Sequence, residues 1–111
     1  MKVAVIGSRG ICEVELEKYI PAEVCEIVSG GAVGVDSLAE AYAKEHGIPL
    51  TVFLPEYKKY GRAAPIKRNE QIVDYADTVI AFWDGKSKGT KYTIDYCRKV
   101  RKSVWVHMIS L

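Results

Sequence analysis

A chain of 111 residues, 49% of them apolar, is long enough for one core and buries roughly two thirds of its unfolded surface, so a single domain over residues 1–111 is expected. Its formal charge of +2, from 16 basic and 14 acidic side chains, is too even to announce a nucleic-acid or membrane partner by itself. No apolar run approaches the roughly 18 residues of a membrane span, and Met1-Lys2 leads into a strand-like run without a cleavage pattern. A cytoplasmic protein without a membrane partner is expected. Cys12, Cys25 and Cys97 lack CxxC or Cys/His spacing, so neither a metal site nor a disulfide framework is expected, and no cofactor is implied.

In chain order, Val3–Ile6 reads as a first strand, and "GSRG" (Gly7 to Gly10) follows it. A helix is expected from about Glu13 to Tyr19. Glu26–Val28 is a second strand, and "SGGAVGVD" (Ser29 to Asp36) turns it into a helix whose apolar stripe is Val35, Leu38, Ala39, Tyr42 and Ala43. Gly47 and Pro49 end that helix. Leu50–Leu54 is the third strand. Pro55 to Ala64, "PEYKKYGRAA", is the longest irregular piece, polar and basic enough for a mobile lid or a subunit contact. A helix over about Pro65 to Tyr75, a strand at Thr78–Trp83, the turn "WDGKSKGT", a helix over about Thr90 to Lys102 and a strand at Val104–His107 complete the order.

Continuous rather than alternating apolarity argues for strands covered on both faces, as in a parallel sheet. Strands alternating with helices, joined by right-handed crossovers, give an α/β three-layer sandwich around a five-stranded, mainly parallel sheet. Ligands of such sheets bind beyond the carboxyl ends of the strands, where the strand order reverses, and all three glycine turns fall on that edge.

Glycine permits positive φ and close approach of a ligand, and a helix beginning just afterwards directs free N–H groups and its positive dipole end at that ligand. A phosphate suits such an edge. Ser8, Ser29, Ser87 and Thr90 add hydroxyls, and Arg9 and Arg68 add charge. Spacing removes two familiar motifs. The turns read GxxG and GGxxG where a dinucleotide fingerprint needs GxGxxG, and Ile80 stands where a Walker A loop ending at Gly85-Lys86-Ser87 needs its first glycine. Structural readings stand beside the functional ones: Asp36 as a helix-start carboxylate, Arg68 and Asn69 as partners of a helix end, Lys86, Lys88 and Lys91 as a solvated face, His46 and His107 as packing residues.

Taken together, "VAVIGSRG", "IVSGGAVGVDSLAEAYAKEHGIP", "RNEQIVDYADTVIAFWDG" and "SKGTKYTIDYCRK" resemble the SLOG superfamily, which joins the DNA-processing protein A group to the Lonely guy phosphoribohydrolases. The match is closest to its small DUF2493 or YspA-like branch and covers nearly the whole chain. The resemblance implies a Rossmann-like fold, a nucleotide or nucleotide-derived ligand at the glycine edge, and a homo-oligomer, dimer or tetramer. Gly30, Gly31, Gly34 and Asp36 match the SGGAxGxD turn of the DNA-processing branch. Arg68, with Asn69 beside it, matches the arginine before the fourth strand of the Lonely guy enzymes, and Gly89-Thr90 match the GT of their PGGxGTxxE motif.

Thr93 occupies the place of that motif's glutamate, and Asp84-Gly85-Lys86-Ser87-Lys88 replaces its PGGx part with a longer loop. N-glycosidic hydrolysis passes through an oxocarbenium-like state that a carboxylate stabilises. Asp84, at the carboxyl end of the fourth strand, is the first substitute, as a ribose contact and then as a catalytic group; Asp36 is the second. The leading expectation is a domain that binds a nucleotide or phosphoribosyl ligand, with sensing as one use. A nucleoside monophosphate N-glycosidase using Asp84 is the alternative. Single-stranded DNA binding through Lys58, Lys59 and Arg62 with Tyr57 and Tyr60 is weaker given the even charge, and an interaction subunit with purely structural turns is the remaining reading.

Overall fold

A computed structural model describes residues 1–110. Five strands form one all-parallel sheet: β1 (Lys2–Gly7), β2 (Glu26–Ser29), β3 (Leu50–Val52), β4 (Thr78–Trp83) and β5 (Ser103–Met108), in the spatial order β3-β2-β1-β4-β5. The helices are α1 (Val35–Glu45), the single turn α2 (Tyr57–Tyr60), α3 (Ala64–Tyr75) and α4 (Lys88–Lys99). None is long and apolar enough to cross a membrane.

Side chains alternate across the central strands. Val3, Val5, Ile27, Ile80 and Phe82 pack beneath α1, whereas Ala4, Ile6, Val28, Val79 and Ala81 meet α3 and α4. Both faces of β1 and β4 are therefore apolar, which is why these strands read as unbroken hydrophobic runs. The crossover from β3 to β4 passes back over β2 and β1 to the other side of the sheet. Because crossovers are right-handed, α1 lies on one face and α3 and α4 on the other. The two halves wind apart from the boundary between β1 and β4, leaving a crevice beyond the carboxyl ends of those strands.

Two expectations are corrected. Glu13 to Tyr19 is not an α-helix: only a 3-10 turn forms, at Leu16–Lys18. Pro21 lies too close to allow a second turn, and one turn alone does not offset the cost of nucleating a helix. Leu16 and Ile20 are nonetheless buried against the α1 face of the sheet. The Pro55 to Ala64 stretch is also more regular than expected, since α2 runs through a 3-10 turn at Gly61–Ala63 directly into α3.

Candidate functional site

At the end of β1, Gly7 is a spacer. A Cβ there would sit 2.5 Å from Val35 Cγ2 and 2.7 Å from the Phe82 carbonyl oxygen, so its absence lets α1 start against the sheet. Beyond it, Ser8 joins two loops: its backbone N–H donates to the Phe82 carbonyl at 3.0 Å, and its buried Oγ accepts from the Asp84 N–H at 3.2 Å. Gly34 has φ +79°, and a Cβ there would lie 2.6 Å from the Arg9 carbonyl oxygen. The first and second glycine turns are thus pressed together, with Gly34 as the N-cap of α1.

The second turn is held largely by its own groups. Asp36 Oδ2 accepts from the Ala32 N–H at 3.1 Å, and Ser29 Oγ accepts from the Gly31 N–H at 3.3 Å. Arg68 reaches across from α3, donating from Nη1 to the Gly30 carbonyl and from Nε to Asn69 Oδ1 at 2.8 Å. A Cβ on Gly30 would lie 2.8 Å from Arg68 Nη1 and 3.0 Å from Asp36 Oδ2, so this glycine makes room for a buried cation and a buried carboxylate. With Nε and Nη1 occupied, Nη2 is the guanidinium donor left for a ligand.

The third turn is organised by Asp84, whose Oδ1 accepts from the N–H groups of Lys86 and Ser87, both at 2.8 Å. Gly85 takes φ +81° to close it. Ser87 then caps α4, its Oγ accepting from the Thr90 N–H at 3.4 Å, while its carbonyl accepts from Trp83 Nε1 at 3.0 Å. Trp83 is thereby tied to this loop. Nothing lies within 4 Å of a Cβ built on Gly89, which leaves the first turn of α4 open.

These parts enclose a cavity of about 450 Å³ at the crevice between β1 and β4. Gly7, Ser8, Arg9, Asp36, Arg68, Asn69, Asp84, Ser87, Gly89 and Thr90 all line it. Ser29, Gly30, Gly31 and Gly34 do not: Gly30 makes room for Arg68 and Asp36 and Gly34 for the Arg9 backbone, whereas Gly31 faces Val52 and Leu54. Residues the motifs did not single out as ligand contacts complete the lining, among them Ala32, Pro65, Thr93 and the apolar floor of Ile6 and Ile72. Thr93 lies three residues beyond Thr90 on the same helical face, a spacing that marks it, and its Oγ1 donates to the Gly89 carbonyl at 3.0 Å. The basic stretch of α2 is outside the lining; Lys59 Nζ sits 5.2 Å from the Tyr60 ring centroid.

The two carboxylates of the cavity are driven in opposite directions. Burial raises the Asp36 carboxyl above its ordinary range, against the lowering pull of the Ala32 N–H and of Arg68. The N–H groups of Ser87 and Lys86 lower that of Asp84. Burial likewise lowers the Arg68 value, opposed by Asp36, but a guanidinium stays charged throughout.

Residues 1–60 match the YspA, cpYpsA-related SLOG family (YAcAr), a span of just over half the chain. The chain belongs to this family. No curated protein and no solved structure matches it. The part matched to YAcAr holds the first two glycine turns and does not reach Arg68, Asp84 or the start of α4.

Proposed function

We propose that the cavity binds a nucleotide or nucleotide-derived phosphoribosyl ligand. The observation that carries this reading is that hydrogen-bond donors, cationic groups and carboxylates together line one cavity of ligand size. The open first turn of α4 offers the Gly89 N–H and the Thr90 hydroxyl to a phosphate, and Arg68 and Arg9 add positive charge. Asp84 and Asp36 repel a phosphate but accept hydrogen bonds from ribose hydroxyls. A ligand with an anionic end and a diol satisfies both sets.

Thermal unfolding with AMP, GMP, CMP, NAD, ADP-ribose and ribose 5-phosphate tests this. A ligand at about a hundred times its dissociation constant adds roughly 2.7 kcal/mol to a fold it binds selectively. Gly89→Asp, which has room for its side chain, is expected to keep the unliganded midpoint and abolish the shift. No shift with any of these compounds overturns the reading.

A second reading, N-glycosidic hydrolysis of a nucleoside monophosphate, is favoured by the opposed shifts of the two carboxylates, a pattern that separates an acid from a base. In this reading Asp36 would give a proton to the departing base as the C1′–N bond breaks, ionised Asp84 would stabilise the oxocarbenium-like sugar and orient the water that adds to C1′, and the proton this water loses would return to Asp36. Chromatographic detection of free base, lost in both Asp84→Asn and Asp36→Asn, supports turnover; intact nucleotide after long incubation with the wild type removes it.

A further inference from the structure

The right-handed crossover that puts α4 on the α3 side leaves the other face of β4 and β5 without a helix. A groove of about 590 Å³ remains there, lined by Tyr19, Pro21, Ile80, Trp105 and His107 and rimmed by charged groups. Trp105 pairs in register with Ile80, yet 63% of it is exposed, unusual for a tryptophan in the middle of a strand. β5 is also an edge, and its six residues, Ser103 to Met108, contain no Lys, Arg, Asp, Glu or Pro. Edge strands are ordinarily guarded by such residues or by being short. The opposite edge, β3, has only three residues. β5 has neither protection.

We propose that β5 is a self-association edge: two copies of the chain pair their β5 strands antiparallel about a two-fold axis, joining the two sheets and covering each groove with the partner's Trp105. Charge selects this occupant and this direction. Arg101 and Lys102 stand immediately before β5, whereas Ile109 and Ser110 follow it. Antiparallel pairing sets the basic start of one strand beside Ile109 and Ser110 of the other and keeps the two basic pairs about 20 Å apart. Parallel stacking would put them side by side. The groove rim carries Lys18 and the Met1 ammonium with Glu23 and Asp77, two cations and two anions, so two identical rims meet without net repulsion. Two tryptophans withdrawn from water contribute about 150–250 Å² each, beside the backbone hydrogen bonds the joined edges make. The interface lies away from the cavity beyond β1 and β4, and the proposal stands whatever that cavity holds.

Sedimentation equilibrium of the full chain over a wide concentration range is the test. The wild type is expected to be dimeric, Trp105→Phe to remain so, and Trp105→Lys to weaken the dimer by about thirtyfold or more. Leu54→Lys, at an exposed residue beside the opposite edge, is expected to leave it unchanged. Amide hydrogen exchange of the wild type gives a second reading should Trp105→Lys fail to fold: protection across Ser103 to Met108 should rise with concentration. A monomer at every concentration, a dimer that Trp105→Lys leaves intact, one that Leu54→Lys dissolves, or exchange independent of concentration overturns the proposal.

Discussion

Single atoms at two glycines, Gly7 and Gly34, decide whether the site can form. At Gly7 a methyl group meets a side chain at 2.5 Å and a strand carbonyl at 2.7 Å, and at Gly34 it meets the Arg9 carbonyl at 2.6 Å in a backbone already at φ +79°. Strand and loop backbone have little freedom to yield, so Gly7→Ala is expected to cost about 1–3 kcal/mol by overpacking, and Gly34→Ala at least as much through added left-handed strain. Gly89 is the control. Its Cβ would meet nothing, it lies in α4, and alanine restricts the unfolded chain, so Gly89→Ala is expected to gain up to about 1 kcal/mol. Urea unfolding of the three variants checks the order; equal losses would mean that close approach is not what these glycines provide. All three look alike in the sequence, because glycine marks a possible approach without saying which atom approaches.

Among the elements, the loop from β4 to α4 shows how a carboxylate with a catalytic reading also acts as a structural clamp. Asp84 gathers the Lys86 and Ser87 N–H groups, and its folded-state carboxyl is lowered by them. A carboxylate lowered in the folded state adds stability above its unfolded value, about 3.9, and loses that stability as pH falls through the folded value. Asp84→Asn keeps the acceptor oxygen but not the charge. Its melting temperature is therefore expected below that of the wild type at neutral pH, with the difference closing in acid. Asp36 has the opposite sign: raised by burial, it makes the fold less stable as pH climbs from about 3.9 through the raised value, and Asp36→Asn removes that slope. Melting curves across acid to neutral pH separate the two; parallel curves for both variants would refute the assignment. The position of Asp84 at the strand end was legible in the sequence, since Thr78–Trp83 is an unbroken apolar run. Its two N–H partners depend on how Gly85 turns, which the residue order leaves open. The missing helix before Pro21 has a similar origin: Leu16 and Ile20 show helical spacing, but the sheet uses them from a single turn.

For the whole molecule, the parallel sheet and the edge that carries the candidate site were legible because β1 and β4 are covered on both faces and the three glycine turns of that edge each follow a strand. The division between the residues that face the cavity and those that brace it was not. Ser29 and Gly30 share a motif with Asp36, and only the arrival of Arg68 from α3 separates their roles. Nor was the bare face of β5, which follows from the side each crossover takes. The cysteines offer a measure of how firmly these layers hold. Cys12 and Cys25 are exposed, whereas Cys97 lies in the core between α4 and the sheet, its thiol pushed up to about 11 chiefly by burial, with Lys102 and Arg98 pulling the other way. Thiolate is the reactive form, so Cys97 is doubly shielded, by packing and by protonation. Titration of the native protein with an aromatic disulfide at mildly alkaline pH is expected to modify Cys12 and Cys25 promptly, and Cys97 only at the rate of global opening. If Cys97 reacts with the other two, α4 separates from the sheet in a local opening, and the turn proposed to hold a phosphate is assembled only part of the time. A ligand that bridges α4 and the β1 loop should then slow that reaction selectively, turning the same thiol into a reporter of occupancy.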